Sequence, residues 1–574
     1  LFPATSGKRP GLRVSAGTPS PKDKGAEQLL PSVQVVGDLT VFDAGLDDSL
    51  EAFELSSDQF QGLLRGDIAA WMLFLAPQHR EFMSRSFNGP ARVSGPSGSG
   101  KTALLLHRAF YEASRSEDSS VLVICYNISL RHVLSSLLDR LCGSNHTLRT
   151  RIKVRHLDEI ASEICGPSRI ISQKEKDRFI AEGRRMEEPR RLRLRLQSNL
   201  DKFLEKEIRI WLKGNPDISP DAYRNLKFPI NHVPLSTEER QEVVRVYENY
   251  ERIKGIAMDW EDLRSRELFT LSTTSKRPFP RVTSILVDEY QDLSVAGLKL
   301  VMALAEPCSQ NVFFCGDERQ RIYCTSSSFR QLGIEIRGRA IVLNTNYRNT
   351  RQIFRVADHL TRSMSEEESD GTLRANDIRL PELNGPLPVL AGFPDRTDDE
   401  AEWITTQIQQ LLDSGYLAGE IGVLAPTWVL QNGCAAALSR HNLPDFIFNG
   451  DSASRFFDEG SIKISTYHQS KGLEYKIVFC AGLSSSLFRN EFRYQDEEAR
   501  STLRSLLYMA VTRARDRLYL SFTGTPLRWL CTLDHSLVDL QEDAAISIVK
   551  AEDRLEEANK PKAPATQISL LDQV

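Results

Sequence analysis

Gly95-Pro96-Ser97-Gly98-Ser99-Gly100-Lys101-Thr102 follows the short apolar run Ala91-Arg92-Val93-Ser94 and opens the helical pattern Ala103-Leu104-Leu105-Leu106-His107. This is GxxxxGK[ST] between a strand and a helix, the context in which the pattern has a mechanism. Gly95, Gly98 and Gly100 let backbone N–H groups turn inward around phosphates, and the helix N-terminus adds positive potential. Lys101 can reach the β/γ-phosphates, and the Thr102 hydroxyl is suited to hold Mg²⁺. A Gly/Ser loop that only caps a helix is the plainer reading, and the strand–loop–helix context argues against it.

Outward from the loop, Val121-Leu122-Val123-Ile124-Cys125-Tyr126, Ser284-Ile285-Leu286-Val287 and Val312-Phe313-Phe314-Cys315 are further short apolar runs. Such runs suit strands buried on both faces, as in a parallel sheet, and the helical patterns between them make the class α/β. Val287-Asp288-Glu289-Tyr290-Gln291-Asp292 ends one of these runs. A carboxylate at a strand end can bind Mg²⁺, here Asp288, and the adjacent Glu289 is then placed to take a proton from an attacking water. An acidic pair alone is usually a surface feature; behind a phosphate loop and an apolar strand it becomes a strong signal. A second α/β pattern follows from Ser461, with Ile462-Lys463-Ile464-Ser465, Ile477-Val478-Phe479-Cys480 and Leu518-Tyr519-Leu520.

Length and composition bound the rest. The 574 residues suit two to four domains, and 41 % hydrophobic with 26 % charged residues is ordinary globular composition. No run of 18 apolar residues provides a membrane span, and no secretory apolar region opens the chain. The first residue is Leu1, which suggests a processed product or a fragment. A net charge of −4 excludes a histone-like basic mass but not a local basic groove. Such a groove has a candidate in residues 170–215, where Arg184, Arg185, Arg190, Arg191, Arg193 and Arg195 gather, although a solvated helical face is the more ordinary account of any one arginine. Nine cysteines without CxxC spacing suit reduced thiols in a cytoplasm. Residues 1–30 read as a flexible lead-in, the chain beyond about Leu530 as a tail, and no internal repeat is visible.

Further segments stand in a telling order. Leu75-Ala76-Pro77-Gln78-His79-Arg80 precedes the phosphate loop; Gly316-Asp317-Glu318-Arg319-Gln320-Arg321-Ile322-Tyr323, Asn346-Tyr347-Arg348-Asn349, Thr466-Tyr467-His468-Gln469-Ser470-Lys471-Gly472-Leu473-Glu474-Tyr475 and Tyr508-Met509-Ala510-Val511-Thr512-Arg513-Ala514-Arg515 follow it. With Asp259-Trp260-Glu261-Asp262-Leu263 ahead of the carboxylate pair, the set resembles the UvrD/Rep-type superfamily 1 DNA helicases from about Trp71 to Phe522. The resemblance implies two RecA-like P-loop motor domains with a helical insertion in the first, and ATP with Mg²⁺ between them. It gives Gln78 the adenine edge, Tyr347 a stacking place on adenine and Glu474 the ribose. Gln320 and Arg348 would contact the γ-phosphate, and Arg513 would be the arginine finger. Single-stranded DNA would meet Tyr126, Tyr323 and His468, with Phe329 the guess for a further stacking residue because the usual continuation is replaced by Cys324-Thr325-Ser326-Ser327-Ser328.

The implied domains are an N-terminal extension over 1–69, a first motor over 70–145 and 259–345, an insertion over 146–258, a second motor over 346–525 and a tail over 526–574. The implied activity is ATP-dependent translocation or unwinding on single-stranded DNA, 3′→5′, in the cytoplasm. The competing reading is an ATP-gated interaction module acting on a nuclease, toxin or repair partner. Only about forty residues separate Ile421-Gly422-Val423-Leu424 from Ser461, so the family's second accessory insertion is expected to be nearly absent, and the chain ends too soon after Arg515 for a fused nuclease. Gln567-Ile568-Ser569-Leu570-Leu571 resembles a short peptide that docks on the replication sliding clamp, behind a linker-like stretch 560–566.

Overall fold

The computed structural model describes residues 33–36, 39–42, 67–126, 128–166, 169–196, 200–226, 234–273, 281–305, 311–320, 329–330, 332–361, 379–394, 396–448, 452, 455–488 and 497–559. Residues Leu1–Trp71 form a unit of their own, in which β1 (Val33–Val36) and β2 (Leu39–Phe42) pair antiparallel. Everything that bears on the site lies in the unit Met72–Val574.

That unit holds two all-parallel sheets. The first contains β3 (Ala91–Ser94), β4 (Val121–Cys125), β5 (Ile152–His156), β6 (Ser284–Val287), β7 (Val312–Gly316) and β8 (Ala340–Val342), in the order β5-β4-β6-β7-β3-β8. β3, β4, β6 and β7 are buried along their whole length; β4, β6 and β7 accordingly read as largely apolar runs, whereas β3 buries Arg92 and Ser94 beside Ala91 and Val93. Parallel neighbours need crossovers, and the chain makes them with helices such as Lys101–Ser114 and Val295–Leu304. All strand ends therefore face one way, and the phosphate loop after β3, the carboxylates after β6 and Asp317 after β7 come out on the same edge. Ligands bind at that carboxyl edge in open α/β sheets.

The second sheet contains β9 (Val389–Phe393), β10 (Ile421–Ala425), β11 (Asp445–Ile447), β12 (Ile462–Thr466), β13 (Tyr475–Cys480), β14 (Ala514–Thr523) and β15 (Asp539–Leu540), in the order β11-β12-β10-β13-β14-β9-β15. Between β10 and β12 the chain makes only the helix Trp428–Arg440 and β11, so among the described residues no helical body is inserted there.

Three expected boundaries move. β5 falls inside 146–258 yet pairs along its length with β4, so the first sheet extends to His156. The insertion's own core runs from Ile171 to Ala257 and gathers Phe179, Leu192, Leu204, Val243 and Tyr250 from its helices. The supposed tail is partly folded: β15 pairs with β9 at the edge of the second sheet, and the helix Glu542–Asn559 buries Ala544 and Ile548. Charged composition concealed both, because an edge strand of two residues and a helix with one buried face leave little apolar trace.

The insertion's helices start where the sequence signals a start. Ser172 caps Gln173–Met186 with Glu175 reaching back, and Ser236 caps Thr237–Lys254 with Glu239 doing the same. Three of the six arginines of the basic cluster pair within this body: Arg184 with Glu188 and Asp201, Arg193 with Glu188, Arg195 with Glu239. The helix Trp260–Thr273 ties the insertion to the first sheet. At its start, Asp259 meets the buried Lys213 at 3.0 Å and accepts a hydrogen bond from Tyr250 Oη at 2.7 Å. Further along, Arg264 grips Asp158 through two hydrogen bonds of 2.7 and 3.0 Å.

No helix of the described residues is long and apolar enough to cross a membrane. Cys142, Cys315, Cys434 and Cys480 are buried free thiols, and Cys125 and Cys531 are buried as well.

Glu267, on the same helix as Arg264, is fully buried, and among the described residues neither carboxylate oxygen has a hydrogen-bond partner. Burial, reinforced by Asp158, raises its pKa to about 8 against the counter-pull of Arg264. The folded chain therefore keeps a proton that the unfolded chain has lost between about pH 4.5 and 8, and stability falls as pH rises through that window. Glu267→Gln removes this dependence. Scanning calorimetry should show the Tm of the variant relative to the parent rising from pH 5 to pH 8.5; a constant difference would contradict the assignment.

Candidate active site

The phosphate loop is built as its glycines require. Gly98 and Gly100 take φ of +75° and +81°, where a side chain would be strained. Lys101 begins the helix and its ammonium is held at 2.8 and 2.9 Å by the carbonyl oxygens of Gly95 and Pro96. Thr102 Oγ1 donates to Asp288 Oδ2 at 3.1 Å, which joins the two motifs across nearly two hundred residues of chain. Ser99 Oγ is buried within the loop and has no hydrogen-bond partner among the described residues. Two hard oxygen donors side by side, an ammonium and an unpartnered hydroxyl suit a triphosphate with a divalent cation.

Asp288 and Glu289 are both buried, and their environments drive them apart. Burial, then the neighbouring Glu289 charge, raises the pKa of Asp288. Burial also acts to raise that of Glu289, but Lys471, Lys101 and Arg513 outweigh it and hold it low. Glu289 has φ 53° and ψ 44°, a left-handed conformation uncommon outside glycine. Its carboxylate accepts a hydrogen bond from Gln291 Nε2, while Gln291 Oε1 accepts from Asp317 N–H at 3.1 Å. Gln320 Nε2 donates to Asp317 Oδ2 at 2.8 Å, so one hydrogen-bonded chain links Glu289 to Gln320.

The second sheet supplies cations. Arg513 is 2 % exposed, and its guanidinium donates to Met509 O at 2.9 Å, Leu473 O at 3.1 Å, Gln320 Oε1 at 3.0 Å and Ser97 Oγ at 3.2 Å. Arg348 donates to the same Ser97 Oγ at 3.0 Å and pairs with Glu474. Burial, then the nearby Arg348 charge, lowers the pKa of Arg513 to about 10. Tyr508 Oη accepts from Ser97 N–H at 3.3 Å, and Tyr347 N–H donates to Gly98 O at 2.9 Å. Asn349 holds the Arg348 segment by donating to Thr512 O at 3.2 Å.

The expected residues therefore divide. Lys101, Thr102, Asp288, Glu289, Gln320, Arg348 and Arg513 form one connected constellation, with Gly95, Gly98, Gly100 and Tyr347 around it. Glu474 is there too, paired to Arg348. Gln78 is solvent-exposed on the short helix Pro77–His79, whereas its neighbour His79 is buried. Phe329 is not a surface aromatic. It is 5 % exposed, edge-on to Tyr290 and Phe314 with centroids 5.1 Å away in each case, so the guess of a DNA-stacking role is corrected to a core role. Tyr126 is half-buried at the end of β4, and His468 is exposed after β12. Tyr323 and Gln567–Leu571 lie outside the described residues.

Two participants had no role assigned from sequence. Lys471 Nζ lies 2.7 Å from Asp292 Oδ2 and donates to Gln320 O at 2.7 Å, a buried ion pair between the two sheets' loops. Ser97 is the other, the hydroxyl on which both arginines converge. Lys471 and Asp292 each sit in a quoted motif, but only the fold reveals that they face each other.

These features define a P-loop ATPase class built from two parallel-sheet bodies, with arginines of the second reaching the phosphate loop of the first. The UvrD/REP helicase N-terminal domain model matches residues 75–335, and the UvrD-like helicase C-terminal domain model matches 447–525. The chain belongs to the UvrD/Rep-type helicases. It is 25 % identical over 405 residues to the ATP-dependent DNA helicase PcrA of Staphylococcus epidermidis RP62A, covering 66 % of this chain and 51 % of that protein. To PcrA of Staphylococcus aureus Mu50 it is 25 % identical over 412 residues, with the same coverage. To YjcD of Bacillus subtilis it is 29 % identical over 217 residues, 36 % of this chain and 27 % of that one. The chain thus spans about half the length of the PcrA relatives and about a quarter of YjcD.

Lys471→Met should lower the unfolding free energy by about 3–5 kcal/mol, because it strands a buried carboxylate. Adding Asp292→Leu should restore most of the loss. Urea unfolding of the single and double variants checks this, and equal losses in both would refute the pairing.

Proposed function

We propose that this protein hydrolyses ATP between its two sheets and uses the cycle to move along single-stranded DNA in the 3′→5′ direction. The observation that carries the proposal is the meeting of Arg348 and Arg513 at Ser97 of the phosphate loop, opposite the Glu289 carboxylate. Family membership supports the use of ATP and a DNA substrate.

In this reading Lys101 leaves the carbonyls of Gly95 and Pro96 for the β/γ-phosphates. Thr102 and Asp288 would hold Mg²⁺, which supplies charge neutralisation on the phosphate oxygens. Glu289, kept ionised by three cations, accepts a proton from the attacking water, and Gln291 fixes its carboxylate. Arg513 and Arg348 stabilise the charge that develops on the transferring phosphoryl group, and they can do so only while both bodies are closed. Product release then weakens the arginines' hold, and the spacing of two DNA-gripping surfaces changes. Tyr126 and His468 are the described candidates for those surfaces, where stacking contributes about 1–3 kcal/mol per base. The alternative of an ATP-gated interaction module with little unwinding of its own is not favoured; the meeting of Glu289, the Thr102–Asp288 pair and the two arginines at one loop supports hydrolysis.

Glu289→Gln should abolish ATP turnover while leaving nucleotide binding intact, measured by phosphate release and by equilibrium binding. Turnover at the parent rate would make the assignment wrong. Arg513→Ala should lower kcat by about 10³–10⁵ with little change in affinity. The reading as a whole is tested by adding single-stranded DNA: the ATPase rate should rise, and a rate indifferent to DNA would sink it. Without a second inserted body among the described residues, the monomer should separate a long duplex poorly in a strand-displacement assay.

A further inference from the structure

Ser97 turns both of its hydrogen-bonding groups toward the second body. Its N–H donates to Tyr508 Oη at 3.3 Å, and its hydroxyl oxygen accepts from Arg348 Nη1 at 3.0 Å and from Arg513 Nη2 at 3.2 Å. The residue is 1 % exposed, so bulk water does not compete for these bonds. Among the described residues, Ser97 is the acceptor that the two guanidinium groups share. It also makes the one hydrogen bond by which the Arg348 guanidinium reaches the first body; its other acceptors, Thr512 O and Glu474, belong to the second. Two cations this close repel, and a neutral oxygen common to both fixes their spacing without adding charge.

The donors left over point to a purpose. A guanidinium has five N–H groups. Arg513 spends four of them, on Met509 O, Leu473 O, Gln320 Oε1 and Ser97 Oγ. Arg348 spends three, on Ser97 Oγ, Thr512 O and Glu474. Its Nε is buried with no hydrogen-bond partner among the described residues. Each arginine can therefore stay on Ser97 and still offer an N–H to an oxygen that arrives at the loop. A buried N–H without an acceptor is costly, and an anion recovers that cost. A third cation marks the same place, since the Lys101 ammonium rests on the carbonyls of Gly95 and Pro96, the two residues ahead of Ser97.

We propose that Ser97 is a positioning residue for the hydrolysis of ATP: its hydroxyl holds Arg348 and Arg513 at a fixed spacing on the phosphate loop, so that their remaining N–H groups meet the transferring phosphoryl group together. A misplacement of about 1 Å at a reacting centre can cost about 100-fold in rate. The hydroxyl acts through the arginines, so its effect shrinks when one of them is removed.

This inference rests on the ATPase reading, and one set of assays separates the two. Phosphate release from radiolabelled ATP, which resolves slow turnover, is measured on the full chain with saturating single-stranded DNA. The proteins are the parent, Ser97→Ala, Ser97→Thr, Arg348→Ala and the Ser97→Ala/Arg348→Ala double variant, each checked for folding by circular dichroism. Ser97→Ala should lower kcat by about 10- to 100-fold and leave KM within about threefold. Ser97→Thr keeps the hydroxyl and should stay within about threefold of the parent kcat. In the Arg348→Ala background, Ser97→Ala should cost several-fold less than it does in the parent. Should Ser97→Ala not fold, Ser97→Gly, which also lacks the hydroxyl, is held to the same expectations. An unchanged or raised kcat, an effect confined to KM, a Thr variant as slow as the Ala variant, or costs that multiply independently would each overturn the assignment. A parent without ATP turnover sinks the functional reading itself, whereas a parent that turns over no faster than Ser97→Ala sinks this inference alone.

Discussion

Two guanidinium groups converge on one small hydroxyl. Ser97 Oγ has two acceptor lone pairs, and Arg348 and Arg513 take both. Burial first, and then the repulsion of a like charge brought this close, make Arg513 hold its proton less tightly than an ordinary arginine. Glu474 offsets Arg348 and the Glu289 carboxylate offsets Arg513, but the balance favours an anion at the loop. The closed arrangement of the two sheets depends on this tension: the second body brings positive charge to a loop whose backbone is already shaped to receive phosphate. Lys471 and Asp292 add a neutralised pair at the same seam, so the seam has a fixed contact and an unsatisfied one.

The inserted helical body is bound differently. Lys213, Asp259 and Tyr250 form one polar knot, and Arg264 with Asp158 another, both buried. Such knots strengthen orientation more than they add net stability, since desolvation consumes most of their attraction. The insertion is thereby held to one side of the first sheet through the helix Trp260–Thr273, while its apolar core is closed on itself.

What the sequence revealed follows contiguity. The loop Gly95–Thr102 and the pair Asp288–Glu289 are each made by adjacent residues, so spacing alone exposed them, and the strands around them are apolar on both faces. What it hid depends on which way a side chain turns. Gln78 and His79 are neighbours on a one-turn helix, and a motif reading has no means to tell which is buried. Phe329 is only a guess from sequence because the usual family continuation is replaced there, and it fills the core beside Phe314. β5 and β15 were assigned elsewhere because edge strands are half polar. The meeting of Lys471 with Asp292 needed the fold itself.

The excursion from β5 to β6 carries a kinetic implication. β4 must pair with β6, and the whole insertion lies between β5 and that partner. Were this stretch an open chain, closing it would cost loop entropy that grows with its length and would slow the search. The insertion's ends are pinned together instead, Ile170 bridging Met258 and Ile171 N–H donating to Met258 O at 2.8 Å. Once that neck forms over its own core, β6 is tethered within a short reach of β4. The neck thus shortens the loop that the pairing of β4 with β6 has to close.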